Sequence, residues 1–402
     1  MTRLLDDQQR AFDKLKRLKV GALFMEPGTG KTLTALTLVK STDVSFVLFI
    51  VPFSTKNNFQ KEIDKWKLNI PYEILGVETL SLSDKTYLET LERLKKERSV
   101  FMIVDESSKI KNGLAIRSQR VLQLSQLSDY RLILNGTPIS KNVIDLYSQM
   151  TFLSPKILKM KETEFKDTFV EYIKVTEKVV SYNGMKKEHS KEIIKQFHNM
   201  EYLYSLISPY VFESKLRLDL AVQHINLGYS LTQEEHDYYN ELKKSYLQMM
   251  TLGKDVFIQM TQLMQRSYST SMGKVSVVKK LFKSINQRDT VIFCKFTNGS
   301  DLAKRHFPNA LVLTYGKGSL GLNLQDYTNM IFWDKTFDYA QLEQAEKRIY
   351  RTGQKRECVY YHLNADVGLD GLFDNCINKK IALLEYFKKC SANEKEKLLD
   401  VI

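Results

Sequence analysis

The sequence is short of cysteine and histidine. Its four cysteines (Cys294, Cys358, Cys376 and Cys390) are scattered without a C-x-x-C pair, and its six histidines are equally dispersed. That distribution excludes a disulfide framework, offers no zinc-site signature, and fits reduced thiols in a cytoplasmic protein. No apolar run approaches the length needed to span a bilayer. The opening stretch, MTRLLDDQQRAFDKLKRLKV, is charged and amphipathic, unlike a secretory signal. No internal repeat or low-complexity tract appears. Acidic residues are also in deficit: 47 against 60 Lys plus Arg leave a net charge of +13. A balance of that size fits a polyanionic partner, nucleic acid first, although a lysine-rich soluble surface gives the same number.

What is present is enough for two domains with proper cores, in 402 residues that are 43% hydrophobic. Short apolar runs alternate with helical patterns. The runs are Val20–Met25, Phe46–Val51, Phe101–Val104 and Leu132–Leu134, then Val291–Cys294, Ala310–Leu313, Met330–Trp333 and Val359–Leu363. Each is apolar on both faces, the mark of a parallel strand covered on both sides by helices. The expected fold class is therefore α/β, with one domain over residues 1–220 and a second over 221–402. Helical insertions are expected at about 151–215 and 228–270. Thr232 and Glu235 read as a capping box at a helix start. Asn183-Gly184 is a hairpin-turn signal inside the first insertion. Tyr202, Tyr204, Tyr238 and Tyr239 fall at helical spacing and are expected in the core rather than as base-stacking platforms. The charged tail from Ser391 reads as a short or frayed helix.

Three stretches carry chemistry. In Met25-Glu26-Pro27-Gly28-Thr29-Gly30-Lys31-Thr32, an apolar strand runs through a glycine loop into a helix. Gly28 and Gly30 let backbone N–H groups turn around an anion, and the positive end of the helix faces the same point. Lys31 can reach the β- and γ-phosphates and the Thr32 hydroxyl can ligate Mg²⁺. The first glycine of the full pattern is replaced by Met25. The plainer alternative is an ordinary strand-to-helix turn with a surface lysine. Next, Asp105-Glu106 ends the apolar run at 100–104. A carboxylate pair beyond a strand's carboxyl end can hold hydrated Mg²⁺ through Asp105 and orient and deprotonate water through Glu106. The third stretch is Tyr339 to Arg351. On one helix, Gln344, Arg348 and Arg351 share a face, while Leu342, Ala345 and Ile349 share another that can pack on a sheet. Arginines aimed at a transferring phosphoryl group can accelerate the reaction on the order of 10³–10⁵-fold.

The order of these stretches resembles the Swi/Snf family of superfamily-two helicase-like ATPases. The resemblance rests on Gly28-Thr29-Gly30-Lys31-Thr32, Asp105-Glu106-Ser107-Ser108-Lys109-Ile110-Lys111-Asn112, Leu134-Asn135-Gly136-Thr137-Pro138 and Gln344-Ala345…Arg348…Arg351-Thr352-Gly353-Gln354. Pro52…Asn58-Phe59…Glu62…Trp66 is similar to the family's motif Ia region. Gly318-Ser319-Leu320-Gly321-Leu322-Asn323-Leu324 is similar to its motif V, and Asp334 with Phe337-Asp338 to the segment after it. Gln8, with Ala11 and Phe12, resembles the adenine-reading Q motif, a role open to Gln9 as well. The resemblance covers nearly the whole chain.

It implies two RecA-like lobes, ATP and Mg²⁺ as cofactors, and duplex DNA as partner. Gln8, Gly28, Thr29, Gly30, Lys31, Thr32 and Gly321 would bind nucleotide, with Thr32 and Asp105 on the metal. Lys31, Asp105, Glu106, Arg348 and Arg351 would be catalytic, the two arginines supplied by the second lobe. Pro52, Lys111, Asn112, Gly136, Thr137, Asn323 and Gln344 would contact DNA or couple hydrolysis to it. Ser108 and the pair Glu213-Ser214 depart from the family pattern. The interval between Phe296 and Ala310 lacks a strand–helix unit, so the second lobe is expected to be trimmed. The compactness resembles versions in bacterial viruses and mobile elements, which implies the cytoplasm of a bacterium or an infected host. The leading expectation is a monomeric ATPase that translocates on double-stranded DNA in replication, recombination or repair, with a protein partner from those processes possible. The alternatives are a strand-separating helicase and a nucleotide-gated adaptor.

Overall fold

The computed structural model describes residues 4–136, 143–180, 186–216, 218–247, 254–315, 322–336 and 339–378. The chain divides into two compact units, Met1–Leu216 and Arg217–Ile402.

The first unit runs α1 (Asp6–Leu15), β1 (Val20–Met25), α2 (Lys31–Lys40), β2 (Phe46–Val51), α3 (Lys56–Trp66), β3 (Tyr72–Gly76), α4 (Thr79–Leu82), α5 (Asp84–Lys96) and β4 (Val100–Val104). It continues with α6 (Ile116–Ser125), β5 (Tyr130–Asn135), α7 (Ile144–Leu153), α8 (Pro155–Leu158), α9 (Glu162–Phe169), β6 (Val170–Val180), β7 (Lys186–Phe197), α10 (Met200–Ile207) and β8 (Val211–Ser214). Six of these strands form one sheet in the order β3-β2-β4-β5-β1-β8, with every pairing parallel. Strand β2 shows why. All six of its residues are fully buried. Phe46, Leu48 and Ile50 enter one core with Met102, Met150 and Phe152. Val47, Phe49 and Val51 enter the other with Leu36, Val39 and Phe59. A strand apolar at every position needs a helical layer on each face, and parallel pairing supplies the crossovers that provide it.

The second unit runs β9 (Val222–Tyr229), α11 (Gln233–Leu247), α12 (Lys254–Ser267), α13 (Met272–Leu281), β10 (Thr290–Cys294), α14 (Thr297–His306), β11 (Leu311–Thr314), β12 (Asn329–Phe332), α15 (Tyr339–Glu346), β13 (Cys358–Ala365) and α16 (Gly368–Asn378). Its five strands are ordered β11-β10-β12-β13-β9, again all parallel. Ile292, Cys294, Ile331 and Trp333 face one core, and Val291, Phe293, Met330 and Phe332 face the other. A single helix, α14, connects β10 to β11. Two parallel sheets flanked by helices match the expected RecA-like class.

Several expectations need correction. The segment at 151–215 is not purely helical. Strands β6 and β7 form a separate antiparallel ribbon with a bulge between Glu171 and Tyr172, and β8 joins the main sheet beside β1. The Asn183-Gly184 turn between them lies outside the described residues. Strands β3, β8 and β9 carry no continuous apolar run because each is an edge strand with a partly exposed face. Of the four tyrosines expected in the core, Tyr239 is buried, but Tyr202, Tyr204 and Tyr238 are exposed. Helical spacing placed them on helices without saying which face the sheet covers. The capping box at α11 is present: Thr232 N–H donates to Glu235 Oε2 at 2.9 Å, and Glu235 N–H donates to Thr232 Oγ1 at 3.2 Å. The charged tail lies outside the described residues. No helix among them is long and apolar enough to cross a membrane.

Helices α12 and α13 are built into the second unit by a buried ion pair. Lys274 Nζ lies 2.6 Å from Asp334 Oδ1, with both side chains almost fully inaccessible. The rings of Tyr229, Tyr268 and Trp333 surround the ammonium at 5.5–5.8 Å. Asp334 Oδ2 also accepts the Lys295 backbone N–H at 3.0 Å, at the end of β10. Lys295 Nζ donates to Gln265 Oε1 at 2.9 Å, and burial pushes its ammonium down to about 6. Removing one member of a buried pair strands the other charge, which typically costs about 3–5 kcal/mol. Lys274→Met should therefore destabilise the second unit by that order in urea unfolding, and Lys274→Met with Asp334→Leu should recover part of it. Equal stability of Lys274→Met and wild type would show that the pair does not hold α13 to the sheet.

Candidate nucleotide site

The glycine loop follows β1. Gly28 and Gly30 have φ of 87° and 85°, and α2 starts at Lys31 with Gly30 as its N-cap. These are left-handed conformations that glycine takes at little cost. Thr29 Oγ1 donates to Glu26 O at 2.7 Å and closes the loop on itself. Gln8 is buried, and its Nε2 donates to Thr29 O at 2.9 Å while its Oε1 accepts Leu5 N–H at 3.1 Å. Gln8 is thus the glutamine that meets the loop; Gln9 Nε2 bonds Asp13 on the exposed side of α1. Lys31 Nζ donates to Met25 O at 2.8 Å and Glu26 O at 3.3 Å, at the mouth of the loop. A glycine loop leading into a helix N-terminus beside one lysine is an arrangement that can hold a phosphate-bearing anion.

The acid pair follows β4. Asp105 N–H donates to Ile50 O at 2.8 Å, continuing the sheet. Glu106 then takes φ 48° and ψ 55°, a left-handed conformation that a residue with a side chain adopts at some cost. Behind it Ser107 is fully buried, and its hydroxyl donates to Gln149 Oε1 at 2.5 Å. This anchors a 3-10 turn over Ser107–Ile110 that fixes where both carboxylates leave the strand. Thr32 and Asp105 are hard oxygen donors, a set that suits Mg²⁺. Gly136, beyond β5, stands against the loop: a Cβ there would lie 3.1 Å from Pro27 and 3.8 Å from Lys31 Nζ.

Sheet order explains the convergence. β5 lies between β1 and β4, so the glycine loop, Gly136 and Asp105-Glu106 leave three adjacent parallel strands at the same edge. Pro52 is buried at the end of β2. The next residue, Phe53, donates its N–H to Glu78 Oε2 at 2.8 Å, and Glu78 also reaches Lys109 at 3.6 Å. Ser108 is half-buried within the 3-10 turn. Lys111 pairs with Asp145 at 3.1 Å, and Asn112 Oδ1 accepts Leu114 N–H at 3.0 Å; both residues are exposed. Thr137, Pro138 and Gly321 lie outside the described residues, as do Gly318, Ser319, Leu320, Phe337 and Asp338.

Sequence reasoning missed the role of Glu26 and of β8. Glu26 N–H donates to Ser214 O at 3.1 Å, and Glu26 Oε2 accepts Leu216 N–H at 3.1 Å. The loop is therefore tied to the segment where Glu213 and Ser214 depart from the family pattern. Desolvation raises the Glu213 carboxyl, with Lys14 and Lys215 pulling it the other way.

In the second unit the expected single helix over 339–351 is corrected. Helix α15 ends at Glu346, and Arg348 and Arg351 lie on the turn beyond it. The backbone tightens there: Arg348 N–H donates to Ala345 O and Ile349 N–H to Glu346 O, at i−3 rather than i−4 spacing. Leu342, Ala345 and Ile349 are buried, as expected, and Gln344 is half-buried. Arg351 Nη1 donates to Leu322 O at 3.2 Å, and Arg348 O accepts Leu324 N–H at 3.2 Å. Those two bonds bracket Asn323, which is exposed. Gln354 staples the turn. Its Nε2 donates to Tyr327 O at 2.8 Å, and its Oε1 accepts the Lys355 and Arg356 N–H groups at 2.9 and 3.0 Å. Gly353, at φ 102°, gives the required bend.

The SNF2-related domain family matches residues 13–289, more than half of the chain. The chain belongs to this family. Among curated proteins, the chain is 22% identical over 441 residues to the chromatin remodeling factor mit1 of Schizosaccharomyces pombe, covering 89% of this chain and 31% of that protein. It is 24% identical over 403 residues to an uncharacterized ATP-dependent helicase of Mycoplasma pneumoniae, covering 86% and 38%. The chain spans less than half the length of the curated relatives it matches. The solved Sulfolobus solfataricus SWI2/SNF2 ATPase core in complex with dsDNA aligns over 99% of this chain and 97% of that one, at 20% identity and a TM-score of 0.45.

The cradle makes a sharp prediction. A Cβ on Gly30 would force an L-residue to a left-handed φ, worth about 1–2 kcal/mol, and would also run into Gln8 Nε2. Gly30→Ala should lower stability by about 2 kcal/mol and weaken ATP at least about tenfold. Adding Gln8→Ala should relieve the collision but not the backbone cost. Thermal unfolding and nucleotide titration check both, and wild-type values for Gly30→Ala would contradict the cradle.

Proposed function

We propose that this chain is a DNA-dependent ATPase motor that couples ATP hydrolysis to translocation on double-stranded DNA. The carrying observation is the convergence of the glycine loop, Gly136 and Asp105-Glu106 on one sheet edge. In this reading Gln8, Gly28, Thr29, Gly30 and Lys31 hold the nucleotide, Thr32 and Asp105 hold Mg²⁺, and Glu106 orients and deprotonates the attacking water. Mg²⁺ held there would neutralise developing phosphate charge. Arg348 and Arg351, on the Gln354-stapled turn, supply the remaining positive charge. Phosphoryl transfer asks for positioning and charge stabilisation, and these residues provide both.

The net charge of +13 supports a polyanionic partner. Contacts from lysine and arginine to phosphates would make binding steeply salt-dependent and nearly blind to sequence. Exposed Lys111, Asn112 and Asn323, with Pro52, Gly136, Thr137 and Gln344, are the proposed DNA-contacting or coupling set. The proposal places the motor in DNA replication, recombination or repair of a bacterium or its phage, acting as a monomer in the cytoplasm with a protein partner from those processes; one bacterial relative, itself an uncharacterized ATP-dependent helicase of Mycoplasma pneumoniae, is in keeping with a bacterial setting. One observation favours a second reading. The β6–β7 ribbon, of 11- and 12-residue antiparallel strands separate from the main sheet, is the element a strand-separating helicase would use as its wedge.

Steady-state ATP hydrolysis without DNA, with single-stranded DNA and with duplex separates the readings. Duplex should stimulate turnover strongly. Arg351→Ala and Glu106→Gln should each abolish that stimulation, with losses on the order of 10³-fold or more. Preference for single strands or forks would replace translocation by unwinding. ATP binding without turnover on any DNA would leave a nucleotide-gated adaptor.

A further inference from the structure

Far from the glycine loop in sequence, the second unit brings two histidines and a glutamate together. His224 lies on β9 and His362 on the adjacent β13. The register pairs His224 with Tyr360 and His362 with Asn226, so the two histidines are a diagonal pair on one face of the sheet. His224 Nδ1 stands 3.2 Å from His362 Nε2. Glu346, the last residue of α15, places Oε1 3.9 Å from His224 Nδ1. All three ligating atoms fall within 4.8 Å of one another.

We infer that His224, His362 and Glu346 form a binding site for a divalent transition-metal ion of the Zn²⁺ class. Two nitrogens on a tetrahedral Zn²⁺, each at about 2.0–2.1 Å, stand about 3.3 Å apart, which is the separation of this pair. Glu346 Oε1, 3.9 Å from His224 Nδ1 and within 4.8 Å of His362 Nε2, would have to move by about 1.5 Å to complete a His₂Glu set. The supporting groups are fixed. His224 stacks on Tyr360 with centroids 5.0 Å apart, and His362 stacks on Phe332 at 4.9 Å. Tyr360 Oη–H donates to Glu346 O at 2.8 Å, which ties the end of α15 to β13. His362 is buried, whereas the His224 side chain is 48% exposed, so one side stays open for entry and for a fourth, water ligand. The ligands come from three separate elements, which is why cysteine and histidine spacing gave no sign of a metal. The site stands apart from the nucleotide reading. Its consequence is structural: the ion would clasp edge strand β9 to β13 and fix α15 just before the turn that carries Arg348 and Arg351.

The test is equilibrium titration of tag-free, nucleotide-free protein with Co²⁺, followed by its visible d–d absorption, then displacement by Zn²⁺. One Co²⁺ per chain, with a four-coordinate spectrum, is expected. His224→Asn and Glu346→Gln, both partly exposed positions, should each weaken it at least about tenfold, the lower end of the loss seen when groups merely supporting a ligand are removed. Zn²⁺ should raise the melting temperature of wild type but not of His224→Asn, with circular dichroism confirming that each variant folds. Absence of Co²⁺ binding, or undiminished binding by both variants, would overturn the site and leave the two histidines as a hydrogen-bonded pair.

Discussion

Parallel strand pairing is the constraint on which both units depend. A parallel strand cannot be reached by a tight turn, so each connection must cross back over the sheet, usually as a helix. That requirement buries both faces and makes strands such as β2 apolar at every position. It also sends every carboxyl end to the same edge. The glycine loop after β1, Gly136 after β5 and Asp105-Glu106 after β4 are neighbours for this reason, although more than 100 residues separate the first from Gly136.

Within that frame, a few backbone conformations that most residues avoid shape the proposed site. Gly28 and Gly30 take positive φ, and Gln8 fills the space a side chain on Gly30 would need. Glu106 accepts a left-handed conformation even though it carries a side chain. The buried Ser107–Gln149 bond behind it holds that geometry in place. In the second unit Gly353 and Gln354 do the same for the arginine turn. Each case joins an unfavourable local conformation to a hydrogen bond that over-determines it.

The core strands and the glycine loop were legible in the sequence because both have strong local signatures. Continuous apolar runs marked β1, β2, β4, β5, β10 and β12, and Thr232 with Glu235 marked the start of α11. The edge strands β3, β8 and β9 were not legible, since half-exposed strands mix polar and apolar residues. The arginine turn was read as helix because its residues keep a helical period, while the actual stop at Glu346 is set by tertiary bonds from Gln354 and Tyr360. Glu26 escaped notice because its partners, Ser214 and Leu216, are distant in sequence. The His224–His362–Glu346 cluster escaped for the same reason.

In the proposed function the first unit holds its nucleotide around Lys31. Lys31 stands at the mouth of the loop, on the carbonyls of Met25 and Glu26. Charge-assisted contacts of such an ammonium are worth about 1.5–3 kcal/mol each. The most direct test is an equilibrium titration of ATP with Mg²⁺ into the wild-type chain and into Lys31→Ala. One ATP per wild-type chain, bound at least about tenfold more weakly by Lys31→Ala, is the expected result. Equal affinity for both proteins, or no binding by wild type, would contradict it.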